Sequence, residues 1–353
     1  TRTRAKIQTS TDNSESALIA GHASLSTAQR NIPNTSKQAK ASPDAVQWQA
    51  AMKSEVDSLA KNDTLEVQMR SPRVRVLGLK WVFKIKEAID GTIARWKARC
   101  TVLGNLQREG FDYEETFAPV VRYDTLRYLL AVAASRRYHV HQMDVDTAFL
   151  YGSMEKEPDI FVDLPEGYPI PDQFKNVDPA RLMGKLNKAL YGLKQAPRLW
   201  NQTFNSTLIS KGFTRTSTDS CLYTRTSGGE ALFVTVFVDD LVITGSSLEV
   251  INHFKRELES TYNMKDLGEL EYCLGIEIKR SSSGQLTLFQ GKYIDDIIKR
   301  FGLEKAHTEP IPMQHNLKLS KSKPEDIEKS NKFPYREIVG SLMYLMISTR
   351  PDI

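Results

Sequence analysis

Residues 231–246, ALFVTVFVDDLVITGS, form the most strand-prone stretch of the chain, and two adjacent carboxylates, Asp239 and Asp240, stand inside it. Asp is depleted from strands, and a charge facing a core must be neutralised or bound. The apolar run resumes at once as Leu241, Val242, Ile243 and Thr244, so the pair predicts the tip of a tight antiparallel hairpin. Asp is a common turn former. Two-residue hairpin turns nevertheless want a positive-φ residue such as Gly or Asn, and Asp-Asp-Leu supplies none. Neighbouring carboxylates also repel, which raises the proton affinity of one of them. A divalent cation removes that penalty, because Mg²⁺ takes one or two carboxylates together with phosphate oxygens and water.

A second pair, Asp144 and Asp146, falls at the end of a short strand in YHVHQMDVDTAFLYG. With Asp144 as a third ligand from another strand end, Asp239 and Asp240 have the composition of a two-metal phosphoryl-transfer site. His139 and His141 share a strand face there, but no further ligand lies near in sequence, and they read as structural.

The stretch LKWVFKIKEAIDGTIARWKARCTVL is a hairpin about the Asp90-Gly91 turn signal. Trp81, Phe83 and Ile85 point one way, and Lys80, Lys84 and Lys86 the other; Arg95, Lys97 and Arg99 share a face of the return strand. A solvated face normally mixes signs, and like charges opposite each other destabilise a sheet. One-signed charge of this density is the footprint of a nucleic-acid binder, since a polyanion relieves the repulsion.

The 353 residues are 40% hydrophobic and 26% charged, the balance of a globular chain, and the net charge of +5 suggests an anionic partner that the distribution of charge has to decide. Three cysteines without CxxC spacing argue for free thiols, against a disulfide framework or zinc site. Apolar runs of about eight residues fall short of the ~20 that a spanning helix needs, so no membrane contact is expected. Residues 1–43 are Ser-, Thr-, Asn- and Gln-rich and read as a disordered linker. Ser42 then suits an N-cap and Pro43 the first helical position, while Trp48, Met52 and Val56 recur every four residues, the stripe of a packing helix. Further helices are predicted over TLRYLLAVAASRR, after the Gly192 turn, over LEVINHFKRELESTYNM, over KYIDDIIKRFGL and over YREIVGSLMYLMIS.

The motifs KWVFK, RWKAR, DYEETFAPVVR, HQMDVDTAFLYG, LYGLKQAPRLW, FVDD, MKDLGELEYCLGIEI, YREIVGSLMYL and TRPDI follow one another in order. In this series, from about Trp48 to the last residue, the chain closely resembles the reverse transcriptase domain of copia-type LTR retrotransposons. The resemblance implies an α+β right-hand polymerase of fingers, palm and partial thumb, with a ferredoxin-like antiparallel palm sheet flanked by helices. Its parts would be fingers at 44–125 with the basic hairpin, palm at 126–151, fingers again at 152–197, palm at 198–285 with the Asp-Asp turn, and the start of a thumb or connection at 286–353, cut before RNase H.

The resemblance also assigns roles. Asp144, Asp239 and Asp240 would be catalytic and, with the Val145 backbone, would hold two Mg²⁺ ions, for which Mn²⁺ can substitute. Lys97, Arg99, Phe149 and Gly192 would bind the incoming deoxynucleoside triphosphate, with Phe149 closing the pocket against a ribose 2′-hydroxyl. Lys80, Lys84 and Arg95 would hold nucleic acid, and Leu274 and Gly275 in YCLGIEI the primer end. The implied partners are an RNA template and a DNA primer strand, with integrase and RNase H in the same polyprotein; the implied location is a cytoplasmic virus-like particle with access to the nucleus. Two positions depart from the family: Phe237 stands where Tyr is usual, and Asp146 where Lys is usual.

Two other readings compete. MDVDTAFL fits the DxDxT nucleophile motif of haloacid-dehalogenase-like phosphatases, which requires a parallel sheet with a loop and helix after Asp240. A catalytically decayed copy would keep the fold and the basic cleft as a nucleic-acid-binding protein.

Overall fold

The computed structural model describes residues 31–87, 92–311, 313, 315–318, 320–321 and 333–353. The chain passes three times between two units: Thr1–Pro119 with Thr147–Thr207, and Val120–Asp146 with Leu208–Ile353.

In the first unit, helix α1 (Ser36–Ala41) precedes α2 (Ala45–Lys61). The segment from 36 to 41 is therefore helical, although its composition suggests a linker. Thr35 caps it by accepting from the Gln38 N–H at 3.2 Å, and Ala39 is buried with Trp48, Met52 and Phe83. Helix α2 starts at Ala45, later than Ser42 and Pro43 imply, because the Ser42 hydroxyl is spent on the Ala39 carbonyl at 2.8 Å, closing α1. Its stripe of Trp48, Met52, Val56 and Leu59 is buried. Trp48 meets Phe83 and Trp96 edge-on at 5.1 and 4.5 Å, so α2 lies on the apolar face of the hairpin β3 (Leu79–Glu87) and β4 (Ile93–Val102). The Asp90-Gly91 turn lies outside the described residues. A small sheet of β1 (Leu65–Met69), β7 (Leu182–Leu186), β6 (Phe161–Val162) and β2 (Val76–Leu77) completes this unit.

The second unit is organised on a six-stranded sheet in the order β12-β5-β11-β10-β9-β8. Its strands are β5 (His139–Val145), β8 (Thr214–Arg215), β9 (Leu222–Ser227), β10 (Glu230–Phe237), β11 (Asp240–Gly245) and β12 (Met264–Glu269), and every neighbouring pair is antiparallel. Asp240 leads straight into β11, so the parallel sheet that a DxDxT phosphatase needs is not present, and that alternative falls. Period-2 alternation gives the sheet two working faces. Val140 and Val242 pack with Leu126, Leu130 and Ala133 of α3 (Tyr123–Arg136) and with Cys273, Ile276 and Ile278. The last three belong to a three-stranded sheet of β13 (Tyr272–Cys273), β14 (Ile276–Arg280) and β15 (Leu286–Phe289). On the opposite face, the buried Lys255 of α5 (Leu248–Glu259) bonds His141 Nδ1 at 2.8 Å and Asp266 at 2.5 Å, which is the structural use of that histidine.

The other described α-helices are α4 (Ala196–Ser210), α6 (Gly291–Arg300) and α7 (Tyr335–Ser348). Cys100, Cys221 and Cys273 are free and buried. Among the described residues no helix is long and apolar enough to cross a membrane.

Asp219 ties α3 to the sheet. Its carboxylate accepts from Thr125 Oγ1 at 2.6 Å, from the Arg122 N–H at 3.0 Å and from the Cys221 N–H at 2.8 Å. Burial works to raise its proton affinity, but these donors prevail and the group is held below the usual carboxylate range. A depressed carboxylate stabilises the fold above its unfolded pKa and loses that contribution as pH falls through the folded value. Asp219→Ala is expected to cost about 1–3 kcal/mol at neutral pH. The deficit against the wild-type chain should shrink on acidification, as read from urea midpoints over an acidic pH series.

Candidate active site

The sheet register decides the site. Asp144 is the cross-strand partner of Asp240 in the β5–β11 ladder, and the Val145 N–H donates to the Asp239 carbonyl at 2.9 Å. Asp144 and the adjacent pair Asp239 and Asp240, distant from it in sequence, thus share one end of the sheet. All three residues are half-buried. Phe237 pairs with Asp240, so the turn residues are Val238 and Asp239, and Asp240 is already strand. Asp-Asp-Leu offers no residue that favours positive φ, and the turn takes it instead from Val238, at φ 55°. A β-branched residue in the left-handed region is a strained outlier. Strain of this kind persists only where surrounding structure over-determines it, and it concentrates at functional sites.

Gln142 Nε2 donates to Asp240 Oδ1 at 3.1 Å. Among the described residues no three His, Cys, Asp or Glu side chains are already gathered as a metal cage. The expected ligand set is therefore present as backbone positions and not as a preformed three-carboxylate cage. Such a set still fits Mg²⁺, which usually needs only one or two protein carboxylates because substrate phosphate and water complete its shell. Asp146 has partners of its own: it accepts from Lys265 Nζ at 2.9 Å and from Asn263 Nδ2 at 3.3 Å. Lys265 is the register partner of Asp144 on its other side, so a cation flanks the carboxylate row.

A second group of candidate residues lies in the first unit. In the β3–β4 register Lys84 faces Lys97, Lys86 faces Arg95, and Val82 faces Arg99. Lys80, Lys84 and Arg95 are exposed on this one-signed face. The Arg99 guanidinium lies over the Tyr191 ring at 4.4 Å, and Phe149 meets the same ring edge-on at 4.9 Å. Tyr191 therefore contacts both Arg99 and Phe149. Tyr191 escapes sequence reasoning; its only signal is an aromatic side chain beside a turn glycine. Gly192, at φ 93°, lacks a Cβ for a packing reason, since that atom would run into the Val102 carbonyl.

Glu55 also escapes the reading of α2 as packing alone. It is buried, and its carboxylate accepts from the Cys100 N–H at 3.2 Å. Burial pushes the Glu55 carboxyl up, against that bond and the pull of Arg99 and Lys97. Lys97 moves the other way: burial first, then Arg99, Lys86 and Arg95, bring its ammonium down to about 8. The remaining predicted pair, Leu274 and Gly275, forms the two-residue turn between β13 and β14, both at positive φ (49° and 77°), as a type I′ turn requires.

An anion laid on the hairpin favours charged Lys97, so binding should take up a proton near pH 8. Affinity for inorganic tripolyphosphate is expected to fall as pH rises through about 8, and Lys97→Arg should flatten that step. Calorimetry in two buffers of different ionisation enthalpy measures both; equal proton uptake by the two proteins would contradict the assignment.

Comparison with known proteins places the chain in a family. Residues 62–315 match the family model described as reverse transcriptase (RNA-dependent DNA polymerase). The chain is similar to the retrovirus-related Pol polyprotein from transposon TNT 1-94 of Nicotiana tabacum, 39% identical over 327 residues, covering 91% of this chain and 24% of that protein. It is also similar to that from transposon RE1 of Arabidopsis thaliana, 37% identical over 307 residues, covering 87% and 20%. The transposon Ty1-BL Gag-Pol polyprotein of Saccharomyces cerevisiae is 28% identical over 246 residues, covering 67% and 12%. The chain thus spans about a quarter or less of the length of these relatives. On its sequence match over most of its length, this chain belongs to the reverse transcriptase family carried by the Pol polyproteins of copia-type transposons.

Proposed function

We propose that the chain is an RNA-directed DNA polymerase that adds deoxynucleotides to a primer on an RNA template. The observation that carries this is the register pairing of Asp144 with Asp240 beside the Asp239 turn. In the reaction a primer 3′-oxygen bonds to the α-phosphorus, the bond to the bridging oxygen breaks, and pyrophosphate leaves. Asp144, Asp239, Asp240 and the Val145 carbonyl would hold two Mg²⁺ ions, which when bound stabilise charge on the attacking and leaving oxygens. Lys97 and Arg99 neutralise the triphosphate, with Arg99 oriented by Tyr191. Phe149 offers an apolar ring edge, which gives a 2′-hydroxyl no hydrogen-bond partner. Lys80, Lys84 and Arg95 supply sequence-independent contacts to nucleic-acid phosphates.

The proposed fingers, 44–125 and 152–197, lie mostly in the first unit, and the proposed palm and thumb start, 126–151 and 198–353, mostly in the second, which supports that division. The strand order β12-β5-β11-β10, with α4 and α5 in the connections, supports a ferredoxin-like palm. The names of the relatives support a place within a longer Pol polyprotein, in which integrase and RNase H would be the neighbours that the resemblance implies. A decayed copy is disfavoured because Asp146 is neutralised by Lys265 instead of adding an uncompensated charge beside Asp144.

Primer extension on a primed RNA template tests the proposal. The wild-type chain should incorporate deoxynucleotides, and Asp239→Asn should lower the rate by at least about 10³-fold, a loss of roughly 4 kcal/mol in the transition state, with template affinity retained. Phe149→Val should raise the kcat/KM ratio of ribo- to deoxynucleotides. Full activity of Asp239→Asn would overturn the site.

A further inference from the structure

The turn that joins β13 to β14 is held from outside its own hairpin. Leu274 occupies the left-handed region at φ 49° without being glycine, a conformation that its Cβ disfavours. The Tyr344 hydroxyl of α7 donates to the Leu274 carbonyl. A Cβ on Gly275 would run into that same hydroxyl, so the glycine is required by Tyr344 as well as by its φ of 77°. The Tyr344 ring is itself fixed, edge-on to Tyr293 at 4.9 Å and to Tyr123 at 6.3 Å. Helix α7 is anchored beyond it: Arg127 donates to the Ser348 carbonyl at 2.7 Å, and Thr349 Oγ1 donates to Gln290 Oε1 at 2.8 Å.

The other end of the hairpin leads to the carboxylates. The Leu270 N–H donates to the Val140 carbonyl at 2.9 Å, joining this segment to β5. Cys273, immediately before the turn, is buried with Val140 and Val242 on the face of the sheet that carries Asp240. Its thiol is pushed up to about 12, by burial first and the Asp240 carboxylate second. Tyr272 beside it is exposed.

We propose that Tyr344 is a positioning residue: its hydroxyl fixes the Leu274-Gly275 turn and so sets where the β13–β14 hairpin receives a primer end beside Asp240. The placement of the primer rests on the polymerase reading above; the Tyr344 contact does not. In polymerisation the tyrosine touches no reacting atom. It acts through the backbone it holds, and its loss should therefore appear in primer binding and leave nucleotide binding alone.

Tyr344→Phe keeps the ring and removes the hydroxyl. Anisotropy with a labelled primer–template, without metal, should show affinity weakened by about 3–10-fold, the value of one backbone-directed hydrogen bond. In extension assays KM for primer–template should rise by a similar factor, while KM for the nucleotide stays within twofold. A purely structural role would lower the unfolding midpoint and the active fraction without moving either constant. Gly275→Ala should be more damaging alone than in the Tyr344→Phe background, because the clash partner is then gone. Unchanged primer affinity, equal shifts in both KM values, or strictly multiplicative effects of the two substitutions would each overturn the proposal. A wild-type chain that binds primer–template without extending it would defeat the polymerase reading, and the affinity comparison would still judge Tyr344. A chain that binds no primer–template would defeat both.

Discussion

The antiparallel pairing of β5 with β11 is the interaction on which the site depends. It sets Asp144 directly across from Asp240 and, through the Val145 N–H, fastens the Asp239 carbonyl to the same end of the sheet. A slip of one residue would turn every side chain of β5 to the other face and take Asp144 with it. The register is pinned by burial on both faces, with Val140 and Val242 packed on one side and Met143, Leu241 and Ile243 on the other. Apolar packing therefore sets the position of the charges, and the strained Val238 is accepted because the hairpin around it leaves no alternative.

The basic hairpin shows the converse, charge concentrated at a cost to stability. Lys84 opposite Lys97 and Lys86 opposite Arg95 repel across the ladder. The apolar side repays this through Trp48, Phe83, Ile85 and Ala98. Glu55 brings an acid beneath the same strand and draws on Arg99 and Lys97. Lys97 carries its charge against this repulsion. Below its folded value it carries a charge that burial and its neighbours oppose, so its contribution to stability improves only as pH rises from about 8 toward 10.5. An anionic ligand relieves the same repulsion at neutral pH, which couples binding to protonation.

Much of this was legible in the sequence because it rests on period and composition. Alternation gave both hairpins, the four-residue stripe gave α2, and an apolar run resuming after Asp240 separated antiparallel from parallel sheet. What escaped depends on contacts between distant residues. The start of α2 hinged on which helix claims the Ser42 hydroxyl. The positive φ of the turn fell on Val238, which no propensity would choose. Asp146 looked like an uncompensated charge until Lys265, distant in sequence, proved to be its partner. Tyr191, Glu55 and Tyr344 act through an arginine, a backbone N–H and a turn carbonyl that local patterns do not reveal.

That the register pairing builds a divalent-cation site is tested most directly by Mn²⁺ binding. Electron paramagnetic resonance would count bound Mn²⁺ on the chain with a chain-terminated primer–template and the next nucleotide. Asp144→Asn should lose bound Mn²⁺ while Asp146→Asn retains it, because only Asp144 faces Asp240 and Asp146 is paired with Lys265. Undiminished Mn²⁺ binding in Asp144→Asn would contradict the assignment of this sheet end as the metal site.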